Sequence, residues 1–177
     1  MTGAAARADV VRTHAAGGVT SVARYSGCGG YRYALSREWD ASAGRVVFVM
    51  LNPSTASELR NDPTVERCER RARALGLGGF EVVNLFAFRA TRPTDLRAAA
   101  APEGAGNDRA IRRACDRAAL VIAAWGVHGA WRDAGPRLAA RLRGAGVTLH
   151  HLGLTRNGHP RHPLYVPYAV NPTPWQA

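Results

Sequence analysis

Three largely apolar runs constrain this chain more than anything else in it. RVVFVML spans 45–51, FEVVNLFAF spans 80–88 and LVIAAW spans 120–125. Each is short, rich in β-branched or aromatic residues and free of strict alternation. Such runs suit strands buried on both faces, as in a parallel sheet covered by helices. GVTLHHLG (146–153) reads as a fourth strand.

Helical spacing fills the intervals. Val65, Cys68, Ala72 and Leu75 recur at helical spacing after Asn61-Asp62-Pro63, which offers a cap and a first-turn proline. A short helix follows Thr94, another opens at Asn107 and Asp108, and a fourth covers 134–144. Alternation of strand and helix predicts an α/β fold of three layers, with a mostly parallel four-stranded central sheet. Tyr31, Tyr33 and Leu35 alternate with Arg32, Ala34 and Ser36, which adds an N-terminal edge hairpin punctuated by Gly29-Gly30. Residues 1–20 read as a flexible leader and 21–177 as a single α/β domain.

The 24 basic residues are all arginine and face 13 acidic ones, giving a net charge of +11. Arg in place of Lys fits a GC-rich genome, but the excess over acids favours a polyanionic partner, nucleic acid or nucleotide. Of the chain, 46% is hydrophobic and 21% charged, so a packed core is expected. No apolar run reaches the ~20 residues of a membrane span, and the first residues lack the apolar stretch of a secretory signal. A cytoplasmic monomer without membrane contact is the expectation. Cys28, Cys68 and Cys115 are widely spaced, without a CxxC pair, so neither zinc nor a disulfide framework is indicated. No GxGxxG or GxxxxGK[ST] occurs.

Ligands of open α/β sheets bind outside the carboxyl ends of the strands. Polar clusters fall at those ends: Asn52-Pro53-Ser54-Thr55, then Asn84 with Arg89 and Thr91, then Trp125-Gly126, then His159-Pro160-Arg161-His162-Pro163. Asn84 interrupts an apolar strand, which costs free energy unless its amide is paired. Asn52 suits either a turn or a ligand contact. His162 sits in a loop stiffened by prolines. Ser54 lacks the G-x-S-x-G setting of a nucleophile.

In that order, MLNPSTA, NDPT, VVNLFAFRAT, AAWG and GHPRHPLYVP resemble the bacterial family called domain of unknown function 1643. More distantly, the same order looks like the uracil-DNA glycosylase superfamily. That likeness implies a glycosylase-like sheet and a metal- and cofactor-independent hydrolase that cleaves an N-glycosidic bond, as in DNA repair. Asn52 would position water and His162 would stabilise the departing base. Pro53, Ser54, Asn84, Arg89, Trp125, His159 and Leu164 would contact the substrate, Leu164 as a wedge in DNA. His159-Pro160 is a competing register for the His-Pro loop. The alternative is a non-catalytic nucleic-acid or nucleotide binding module on the same fold.

Overall fold

The computed structural model describes residues 8–176. Its strands are β1 (Val10–Ala16), β2 (Val19–Tyr25), β3 (Arg32–Glu38), β4 (Arg45–Met50), β5 (Gly79–Asn84), β6 (Leu120–Ala123), β7 (Leu149–His151) and β8 (Thr173–Pro174). Its α-helices are α1 (Pro63–Ala74), α2 (Pro93–Ala98), α3 (Asn107–Cys115) and α4 (Ala134–Gly144). All eight strands form one mixed sheet in the order β1-β2-β3-β5-β4-β6-β7-β8.

The apolar runs occupy the middle of that sheet. β4 pairs in parallel with β5 on one side and β6 on the other, and β6 pairs in parallel with β7. Val46, Val47, Phe48 and Val49 are fully buried. Their side chains alternate between two cores. Val47 and Val49 join Leu96, Ile111 and Leu138 of α2, α3 and α4. Val46, Phe48 and Met50 join Val65, Cys68 and Ala72 of α1. Helices therefore cover both faces of these strands, which explains why their sequence shows no polar alternation.

The expected four-stranded sheet is thus part of a larger one. β3 is no edge arm: it lies between β2 and β5, antiparallel to both. Its Arg32, Tyr33, Ala34 and Leu35 are all buried, so the two-residue alternation read as a half-buried strand does not hold. Residues 10–16, within the expected leader, form a strand paired throughout with β2, and residues 1–7 lie outside the described residues. Gly17 and Gly18 join these strands with φ of 57° and 75°, the left-handed pair that a tight hairpin turn needs. β1 is exposed along its whole length, so no hydrophobic pattern marks it in the sequence. Among the described residues no helix is long and apolar enough to cross a membrane.

The contrast between β4 and β1 is measurable. Phe48→Ala should lower unfolding free energy by about 3–5 kcal/mol in urea titrations, through lost burial and a cavity between sheet and α1. Val11→Ala should change it by less than about 0.5 kcal/mol.

Candidate functional site

A cavity of about 220 Å³ opens outside the carboxyl ends of β4 and β5. Asn52, Asn84 and His162 all line it, together with Ser54, Thr91 and three polar side chains that the sequence did not single out for a ligand: Arg32, Asp62 and Thr64.

Asn52 follows β4 directly. Its Nδ2 donates to Ala90 O at 2.8 Å and to Pro53 O at 3.1 Å. Two carbonyl partners fix the amide's orientation and tie the loop after β4 to the loop after β5. Oδ1 is the amide atom left for a ligand. Asn84 ends β5 and is 1% exposed, yet neither Oδ1 nor Nδ2 has a hydrogen-bond partner. A buried amide without partners is costly, and Asn84 is among the residues that line the cavity. The backbone here is held by a second buried amide: Asn107 Nδ2 donates to Asn84 O at 2.9 Å and Leu85 O at 3.1 Å. Asn107 therefore clamps a strand end rather than capping α3. Asp62 does cap its helix, accepting from the Val65 amide at 2.9 Å, and its other oxygen accepts from the Ala56 amide at 3.4 Å.

His162 reaches the cavity from the loop after β7. Its Nδ1 accepts the Leu164 amide at 3.3 Å, so a neutral ring carries its proton on Nε2. Burial pushes its pKa down to about 4, against a weaker opposing pull from Asp62. The ring is neutral at physiological pH and offers Nε2–H as a donor. Gly126 seats this loop: its amide donates to Pro160 O at 2.9 Å, φ is 71°, and a Cβ there would lie 3.4 Å from the His162 Cβ.

Arg32 enters from the start of β3 and is 2% exposed. Its Nη1 donates to Ala56 O, while Nε has no partner. Burial lowers its pKa to about 10, which leaves it charged at neutral pH. Arg32 is one arginine among 24 in the sequence, at an alternate position of a strand expected to be half-buried. Only the covering of β3 on both faces reveals it.

The remaining expected site residues do not line the cavity. Pro53 is buried behind the cavity wall, its carbonyl accepting from Asn52 and from the Ala90 amide. Arg89 is exposed, donates to Gly29 O at 3.2 Å and lies over the Tyr25 ring. Trp125 is a core residue, 1% exposed, against which a Cβ on Gly129 or Gly135 would collide at 2.0 and 2.6 Å. His159 belongs to a turn closed on Thr155, so of the two registers His162 is the one in the cavity. Leu164 is half-buried, its carbonyl accepting from Arg67 Nε, and the exposed side chain beside it is Tyr165, with its ring 5.8 Å from His162. A larger groove of about 540 Å³ lies between α3 and α4, but Arg132 and Arg141 are ion-paired there with Glu103 and Asp108.

A family model described as a protein of unknown function (DUF1643) matches residues 32–164. The chain belongs to this family. In this DUF1643 protein the matched span runs from Arg32 to Leu164 and contains every residue that lines the cavity. No curated protein and no solved structure matches the chain.

Three measurements test the site without a substrate. His162 should show no NMR titration between about pH 8 and pH 5, whereas a free imidazole titrates near 6.5. Its folded pKa lies below the unfolded one, so the unfolded chain takes the proton first. The stability linked to the neutral ring is full above about pH 6.5 and is lost as pH falls through about 4. His162→Gln should remove that part of the acid sensitivity in thermal melts. Separately, Asn84→Leu should raise the stability of the ligand-free protein by about 1 kcal/mol, because it removes unpaired buried polar atoms while keeping the side chain's branching.

Proposed function

We propose that this cavity binds a nucleobase and that the protein is an N-glycosidic hydrolase acting on DNA or on a nucleotide. The observation that carries this reading is Asn84: a fully buried amide with an open donor and an open acceptor in a cavity. That pair of atoms matches the donor–acceptor edge of a base. The neighbours complete the chemistry. Hydrolysis breaks the C1′–N bond, whose electron pair leaves with the base, while a water oxygen bonds to C1′ and its proton ends on the departing base. Asn52 Oδ1, held in orientation by its two carbonyl contacts, accepts a hydrogen from the attacking water. Neutral His162 donates through Nε2 to the oxygen on which the base's negative charge gathers. Preorganised donors of this kind act without reorganising as charge develops. Arg60, Arg89 and Arg161 are exposed on the loops around the cavity and suit phosphate contacts. A duplex substrate would have to flip its base out, at about a few kcal/mol.

One observation favours the alternative of a binding module without turnover. Asp62 is the carboxylate of the cavity, and both its oxygens hold backbone amides. It is therefore engaged in structure rather than open to take a proton.

The test is release of base from single- and double-stranded oligonucleotides bearing uracil, mismatched, deaminated and oxidised bases. Turnover should fall about 100-fold or more in Asn52→Ala and in His162→Ala with folding intact. Tight binding that weakens steeply with salt, without any base release, would establish the binding module. Neither turnover nor binding would sink both readings.

A further inference from the structure

Arg32 is a buried cation with unfilled donors. No carboxylate lies within ion-pairing distance of its guanidinium among the described residues. Asp62 is near enough to favour the charge, but its oxygens are occupied by the amides of Val65 and Ala56. Nη1 is taken by Ala56 O, and Nε has no partner. The Nε–Nη2 side of the plane is thus a donor fork with no protein acceptor, on a residue that lines the same cavity as Asn84 with its unpartnered amide. A guanidinium fork matches two acceptors lying side by side in one plane, and a charged donor bonds them about twice as strongly as a neutral one.

We propose that Arg32 is a specificity-determining residue, selecting ligands that present two adjacent acceptors in one plane. This rests on reading the cavity as a ligand site and deepens it by naming the ligand chemistry. Among nucleobases the class contains 6-oxopurines, through O6 and N7, and cytosine, through O2 and N3. It leaves out uracil and thymine, whose acceptors are separated by N3–H, and adenine, whose N7 and N1 flank a donor. A planar carboxylate presents the same pair of oxygens. The predicted preference departs from uracil, the base suggested by the distant resemblance.

The experiment is calorimetric titration of the whole protein with trinucleotides that differ only in the central base, hypoxanthine, cytosine, uracil or adenine, and with benzoate. Hypoxanthine and cytosine should bind at least about tenfold more tightly than uracil and adenine. Arg32→Lys keeps the charge but not the fork, and should level that difference while its melting curve shows a folded protein. Asn84→Leu should weaken all four trinucleotides together. If the wild-type protein binds the four alike, the Arg32 inference is wrong and the nucleobase reading survives. If Arg32→Lys is folded and keeps the full preference, the inference is likewise wrong. If benzoate binds through Arg32 while no trinucleotide does, the inference holds and the nucleobase reading falls. If nothing in the panel binds, the inference is overturned. The wild-type comparison decides the matter even if Arg32→Lys does not fold.

Discussion

The loop from Asn52 to Asp62 runs as irregular backbone against the body of the protein, and two buried arginines of β3 make that affordable. Its carbonyls need donors that no helix or strand supplies. Arg37 Nη2 donates to Ser57 O at 2.5 Å and to Asn61 Oδ1 at 3.1 Å, and Arg32 donates to Ala56 O. Burial lowers the pKa of both guanidinium groups, so each is held in its charged form at a cost that those contacts offset. The same loop carries Asn52 and Ser54 at one end and Asp62 at the other. Without donors from β3, the wall of the cavity has no reason to hold its shape.

Burial acts on the two basic groups of the cavity with different results. For His162 it shifts the pKa below the physiological range and removes the charge. For Arg32 the same effect stops near 10, and the charge stays. The one carboxylate that lines the space has its oxygens turned to backbone amides. The cavity is therefore rich in donors, with one permanent positive charge and no equally free negative one. Its electrostatics ask for a ligand rich in acceptors.

What the sequence made legible follows from that physics. β4, β5 and β6 stood out because a strand covered on both faces has almost no polar residues to confuse the reading. Asn84 stood out for the same reason, since a lone amide in such a strand must have a use. The order of strand ends then brought Asn52, Asn84 and His162 to one rim. β1 was invisible because nothing covers either face, so its residues carry no pattern. Arg32 and Arg37 were hidden by the opposite cause. A sheet wider than four strands buries β3, and no spacing rule distinguishes a buried arginine from the many solvated ones. Trp125 was misplaced because a strand-end Trp-Gly pair has two uses. Gly126 seats the His162 loop, whereas the indole fills the core beneath Gly129 and Gly135.

Helix α1 unites these parts into one device. Its N-terminal cap, Asp62, stands in the cavity wall. One turn on, Arg67 donates to Leu164 O and lies over the Tyr168 ring. A further turn along, buried Arg71 donates to the carbonyls of Val166, Pro167 and Val170 at 2.8–2.9 Å. The Pro-rich tail has few amides to pair with a strand, so its carbonyls are met by side chains instead. These contacts fix the segment just after His162 to the helix whose first residues face His162 across the cavity. Imidazole, amides and guanidinium are thus referred to one helix and one end of the sheet's central strands. Such a site is set before any ligand arrives, so binding spends little on ordering it.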